Sequence, residues 1–175
     1  MINRLKIASI LIFSVLLISG LFYSCSTEKN AFINRNYHYI TVKYNGYFNG
    51  NESFKLAAKN IETSEKDDFD DFLDVFKYGN PKDNKNEYSN LDRSLSKGAK
   101  MIDRHSMKFK VASEEVEYNN MIDDCYLLIG KARFLKFDLE EAKETFLFVK
   151  NTFKKGDERH KATLWLVMTY IYQEN

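Results

Sequence analysis

Between Tyr118 and Phe153 the apolar residues recur at a spacing that only a helix brings onto one face. Tyr118, Met121, Cys125, Leu128, Ala132 and Leu135 follow one another at intervals of 3-4-3-4-3, the period of an α-helical stripe. Lys136–Asp138 interrupts the pattern, and Leu139, Ala142, Phe146, Val149 and Phe153 resume it. Two amphipathic helices joined by so short a break fold back on one another. One proline (Pro81) and seven glycines in 175 residues leave few breakers to interrupt long helices. The spacing therefore predicts an all-α chain.

Further segments follow the same period. Ile33, Tyr37, Ile40, Tyr44 and Tyr47 run at 4-3-4-3, although Tyr, Ile, Thr and Val are strand formers. A β-hairpin turning at Asn45-Gly46 is the alternative. Asn49-Gly50 reads as a helix stop, Asn51 as the cap of the next helix, and Phe54, Ala57, Ala58 and Ile61 as its apolar face. Residues 31–64 are thus expected to form a helical hairpin. Ser89 or Asn90 caps a third helix with the stripe Leu91, Leu95, Ala99 and Ile102, ending near His105-Ser106. The stretch "SMKFKVASEE" then reads as a loop within the helical region 89–156.

Residues 65–88 form an acidic and aromatic connecting segment. Asp67, Asp68, Asp70, Asp71 and Asp74 surround Phe69, Phe72 and Phe76. The spacing lacks the glycine and closing glutamate of an EF-hand loop, so the reading is an amphipathic turn with a solvated acidic face. "YGNPKDNKNE" carries turn chemistry.

The N-terminus is of another kind. Arg4 and Lys6 precede eighteen uncharged residues, Ile7 to Ser24, and the chain turns polar after Cys25. This is secretory-signal geometry; its length also meets the lower limit for a spanning helix, so a plain membrane anchor is the alternative. Ser19-Gly20 weakens the helix near its end, Ser24 is small, and "STEKN" makes a polar tether. These features resemble a bacterial lipoprotein signal, in which 1–24 is removed, Cys25 is lipidated and 25–30 is the tether. Phe22 and Tyr23 depart from the common pattern. Several acyl chains, at about 0.8 kcal/mol per buried CH₂, hold a soluble body on a membrane. Cys125 is then alone, with no intrachain disulfide, and reads as a small buried hydrophobe.

Charge excludes one class of partner. The first 24 residues hold Arg4 and Lys6 and no acid, leaving 24 basic against 25 acidic side chains in the remainder. Nucleic acid needs a basic face, and none is implied. His38, His105 and His160 lie in separate segments without zinc-ligand spacing, and no phosphate or dinucleotide fingerprint occurs. Glu114-Glu115 and Asp123-Asp124 read as helix-start carboxylates suited to the helix dipole. No catalytic residue, metal, cofactor or small-molecule substrate is expected, and the chain is read as not an enzyme.

The stretch 123–156 resembles a tetratricopeptide repeat, a 34-residue helix–turn–helix. Tyr126 fills the large aromatic position, Ile129-Gly130 the Leu-Gly pair, Ala132 a small position, Ala142 the signature alanine, Phe146 the later aromatic and Val149 the last small position. Arg133 stands where tyrosine is usual, and no proline closes the repeat. "HKATLWLVMTYIYQEN" (160–175) reads as the first helix of a further, truncated repeat, through Leu166, Thr169 and Tyr170. Trp165, Leu166, Val167, Met168, Ile171 and Tyr172 are expected to be partly uncovered, so the chain reads as the start of an α-solenoid continued by more chain or covered by a partner.

Taken with "CSTEKNAFINRNYHYITVKYNGYFNGNESF", "DRSLSKGAKMIDRHSM" and "NNMIDDCYLLIGKARFLKFDLEEAKETF", the chain resembles the N-terminal part of the SprE/PorW family of tetratricopeptide-repeat lipoproteins of Bacteroidota. The resemblance spans about Cys25 to Asn175. It implies an outer-membrane lipoprotein facing the periplasm, part of the type IX secretion and gliding-motility machinery, linking its periplasmic ring with its translocon. The tether's single acid, Glu28, is weak for a surface-export signal and favours the periplasmic face. Two alternatives stand beside this scaffold: an inner-membrane-anchored adaptor, and a SusD-like glycan-binding lipoprotein stacking sugars on Tyr37, Tyr39, Tyr44, Tyr47 and Trp165. Exposed aromatics and charges between Tyr37 and Tyr78 are the expected contact residues for protein partners.

Overall fold

The computed structural model describes Ser14 and residues 29–66, 69–70, 76–154 and 156–174. The signal segment, Cys25 and most of the acidic cluster, including Phe72, lie outside the described residues. The described chain is mostly helical, as the periodicity predicts. Its helices are α1 (Phe32–Thr41), α2 (Phe48–Ser64), α3 (Tyr88–His105), α4 (Ile122–Leu135), α5 (Leu139–Thr152) and α6 (Glu158–Glu174). Among the described residues no helix is long and apolar enough to cross a membrane.

The expected hairpin at 31–64 is instead one continuous helix. A π-helical stretch, Val42–Tyr47, joins α1 to α2, and both junctions stay in the right-handed helical region. Asn49-Gly50 does not stop the helix, and Asn51 caps nothing. Gly50 sits where α3 and α4 both come close: a Cβ on it would lie 3.1 Å from Lys97 Cβ and 3.2 Å from Leu128 Cδ2. The π-stretch also decides which face is buried. A turn closed by i→i+5 bonds holds more residues than an α-turn, so His38, Val42, Gly46 and Gly50, each four apart, stay in line facing the core. The anticipated stripe rotates outward. Ile33 is 78% exposed and Tyr44 66%; Tyr37 and Ile40 are also exposed, and only Tyr47 is half-buried.

Successive helices pair antiparallel. His38 meets His105 and Asn60 meets Glu87, aligning α1–α2 against α3. Lys136 meets Asp92 while Ile129 meets Gly98, aligning α3 against α4. Gly130 meets Phe146, aligning α4 against α5, and Glu140 meets Gln173, aligning α5 against α6. The central helix α4 is buried on most of its surface and also touches α2 and α6. Phe134, Phe146, Leu91, Leu128, Leu135 and Val149 are among the fully buried side chains of this core.

The third helix starts at Tyr88, with Glu87 before it and no side-chain cap from Ser89 or Asn90. Its buried face is Leu91, Ser94, Gly98, Met101 and His105. Leu95 and Ile102 are half-buried, and Ala99 is exposed. The small residues Ser94 and Gly98 let α4 approach, which a reading based on large apolar residues passes over.

Three connections carry specific chemistry. The expected loop after α3 is a β-hairpin, β1 (Lys108–Val111) against β2 (Glu114–Glu117), antiparallel with Phe109 opposite Val116. Glu114-Glu115 therefore belong to a strand and do not start a helix. Ala112 turns the hairpin at φ 57°. Between α4 and α5, Phe137 takes φ 62°, its N–H donating to Phe134 O while Asp138 N–H donates to Arg133 O, a Schellman closure with phenylalanine in the usual glycine place. In the connecting segment, Asp83–Glu87 forms a 3₁₀ turn, and the buried Asn84 donates its Nδ2 to Tyr78 O (2.9 Å) and Leu135 O (2.7 Å). That side chain pins the segment to the end of α4.

Candidate functional site

The sequence placed its repeat residues on α4 and α5, and the structure packs these two helices together with Gly130 against Phe146. Ala132, Ala142, Phe146 and Val149 are fully buried. A Cβ on Gly130 would stand 2.8 Å from Phe146 Cδ1 and nearer still to Cε1. Only glycine leaves that ring room. Ile129 faces the other way, against Gly98 of α3. Tyr126 is half-buried, its ring 4.7 Å from Phe148 and 6.0 Å from Phe153. Arg133, which departs from the repeat pattern, donates from Nη1 to Thr145 Oγ1 at 2.7 Å and to Glu141 O at 3.2 Å. It ties α4 to α5 by polar contact where a tyrosine would do so by packing. Cys25 lies outside the described residues.

The first turn of α6 meets the first turn of α4. Asp123 and Asp124 there, with Glu158, place their carboxylates within 4.8 Å of one another. Lys161 Nζ pairs with Glu158 Oε1 at 2.7 Å. Burial pushes the Asp123 carboxyl up to about 6, against the backbone N–H of Asp124 that holds it down. Burial pushes Asp124 up to about 7, helped by the charges of Glu158 and Asp123. The dipole reading of these two acids placed them correctly in the first turn, yet burial outweighs the favourable helix end. Cys125 is fully buried, and burial pushes its thiol far up, with Asp124 and Asp123 adding to the shift. A thiol held protonated in an apolar site is a poor nucleophile.

Two histidines that the sequence left in separate segments meet inside the molecule. His38 Nδ1 and His105 Nδ1 are 2.9 Å apart, and both side chains are buried. Burial lowers the His105 pKa, with His38 and Arg104 adding to the effect. One nitrogen of this bond must carry the proton and the other accept it. His38 lies four residues before the buried Val42 and His105 four after the buried Met101, but no spacing within one segment shows that the two rings meet.

The remaining features are outward faces. Along α1, the π-stretch and the start of α2, Phe32, Ile33, Tyr37, Ile40, Tyr44 and Phe48 are exposed. On α6, Leu164, Val167, Tyr170 and Ile171 are exposed, while Leu166 and Thr169 are buried against the core. The expectation for α6 is met at Val167 and Ile171, which are exposed, and at Trp165, Met168 and Tyr172, which are half-buried; only Leu166 is covered. Trp165 sits 5.3 Å from Phe134 and 5.6 Å from Tyr78, ring centre to ring centre. Comparison with known proteins adds no assignment: no protein-family model matches the chain, and no curated protein matches its sequence.

Proposed function

We propose that this chain is a membrane-anchored helical-repeat scaffold that assembles protein partners. The observation that carries the reading is the stacking of α4, α5 and α6. Each helix packs antiparallel on the one before, and α6 also touches α4. A helix–turn–helix unit followed by the first helix of the next gives this arrangement, the growth rule of a solenoid. The Gly130–Phe146 contact and the buried Ala132 and Ala142 support a tetratricopeptide-like unit over 123–156. The exposed apolar faces of α1 and α6 supply surface for partners.

The anchor and the machine come from the sequence. Cys25, lipidated, would hold the body on a membrane and raise its concentration beside other envelope proteins. The family resemblance makes the outer membrane, its periplasmic face and the type IX secretion and gliding-motility apparatus the proposed setting, with ring and translocon components as partners. Co-purification from crosslinked cells tests this. Recovery of ring and translocon proteins by the native chain, and their loss in Cys25→Ala, supports it; recovery of neither by the native chain refutes it.

The glycan reading keeps one favourable observation, since Tyr37 and Tyr44 are exposed and not core. Trp165, by contrast, is half-buried and packed against Phe134, Phe146 and Tyr78. A polysaccharide binding screen with Tyr37→Ala and Tyr44→Ala variants separates the two readings.

A further inference from the structure

A cavity of about 370 Å³ opens between the π-stretch and α3. Lys97, Lys100 and Arg104 line one wall, spaced three and four apart so that they share a helix face. Tyr37, Thr41 and Asn45 line the other. Gly46 and Met101 meet beneath them, where a Cβ on the glycine would come within 2.7 Å of Met101 Cε. No carboxylate is among the lining residues.

Three like charges on one helix face repel and destabilise the helix that carries them. Some lysines elsewhere on the surface are held in ion pairs. Lys55 pairs with Glu52, Lys136 with Asp92, Lys143 with Glu140 and Lys161 with Glu158. Among the described residues, none of Lys97, Lys100 and Arg104 makes an ion pair. Across the cavity, Asn45 Oδ1 accepts from Asn49 Nδ2 at 3.3 Å. That contact fixes the amide's acceptor end and leaves its Nδ2–H groups as donors without a partner among the described residues. The wall carrying Asn45 belongs to a π-turn, a local departure from the α-helix that is frequent at functional sites. Two ammonium groups and a guanidinium, with neutral donors opposite, are complementary to a group bearing several anionic oxygens. The volume suits a small ligand.

We propose that this cavity is a binding site for the phosphate group of a small phosphate ester or of a phospholipid headgroup. It is separate from the scaffold reading and requires neither the anchor nor the repeat. Charge and multiple donors recognise the phosphate, and the remainder of the ligand lies over Tyr37 at the cavity rim.

The test is a titration of the full chain, held in non-ionic detergent, followed by amide NMR. One arm adds glycerol 3-phosphate; the other adds phosphatidylglycerol to the micelles, with phosphatidylcholine as its neutral control. Saturable one-site shifts at Asn45 and Lys97 with glycerol 3-phosphate support the proposal and identify a soluble ester. Shifts only with phosphatidylglycerol support it and identify a lipid headgroup. Affinity should weaken about tenfold for each cation removed in Lys97→Gln, Lys100→Gln and Arg104→Gln, with thermal stability retained. Lys108→Gln and Lys110→Gln, on the hairpin strand, should leave binding unchanged. No saturable shift in either arm overturns the proposal, as does an equal weakening by the hairpin variants.

Discussion

Gly130 and Phe146 meet across the α4–α5 turn with no room for a methyl group between them. Alanine is the better helix former by up to about 1 kcal/mol, so on propensity alone Gly130→Ala would stabilise. Overpacking a filled core costs about 1–3 kcal/mol, and here the obstruction is a fully buried ring. The net effect is a loss, read as a lower melting temperature. Pairing the change with Phe146→Leu, which removes the ring edge, should make Gly130→Ala neutral or favourable in that background. Additivity of the two changes would disprove the contact's role.

Asn84 holds the connecting segment to the end of α4 with two donated bonds to backbone carbonyls, the one to Leu135 O buried and the one to Tyr78 O part-buried. Asn84→Ala leaves Leu135 O and Tyr78 O without that donor. The expected cost is about 1–3 kcal/mol, measured by denaturant unfolding. Hydrogen exchange should rise first in 78–87 and at the last turn of α4.

The buried carboxylates set one pH dependence. Asp124 has a folded pKa near 7 against 3.8 ordinarily, so the folded chain binds its proton more tightly than the unfolded chain does. Its ionisation therefore destabilises the fold progressively as pH rises from about 4 to 7. Asp124→Asn should raise the melting temperature at pH 8 and lose that advantage by pH 4.

His105 works in the opposite direction. Its pKa is lowered by burial, and further by His38 and Arg104, so the unfolded chain takes up the proton first. The stability it contributes is complete above 6.5 and is lost as pH falls. Its ring, followed by NMR, should titrate below 6.5. In His38→Phe, with the second ring gone, the midpoint should move up towards the ordinary value. An unmoved midpoint would show that burial alone sets it.

Ala112 turns the β-hairpin at φ 57°, a left-handed conformation that costs a residue with a Cβ about 1–2 kcal/mol. Ala112→Gly should recover part of that cost and raise the melting temperature, since the residue is exposed.

The helices of 118–153 were legible because large apolar residues mark their buried faces at the ordinary period. The N-terminal helix was misread for two physical reasons. Its buried face uses His38, Gly46, Gly50 and Ser53, residues that carry no hydrophobic signal. The π-turn shifts the period to four, so the 3-4 stripe of large residues points to water. The short hairpin was hidden because four-residue strands leave little alternation to read. Of the site residues, Gly130 and Phe146 could be found from a repeat pattern. The His38–His105 pair and the Lys97–Lys100–Arg104 wall depend on which segments meet, and spacing within one segment does not supply that.

Site-specific photo-crosslinking in cells tests the scaffold most directly, with a crosslinking residue placed at Tyr44 on the α1 side or Val167 on α6, and at Glu115 on the hairpin as control. The account predicts adducts from Tyr44 or Val167 to ring or translocon proteins of the secretion apparatus, none from Glu115, and loss of the adducts when Cys25 is replaced by alanine. Adducts that form equally from all three positions, or an absence of such proteins from every adduct of the anchored chain, would contradict it.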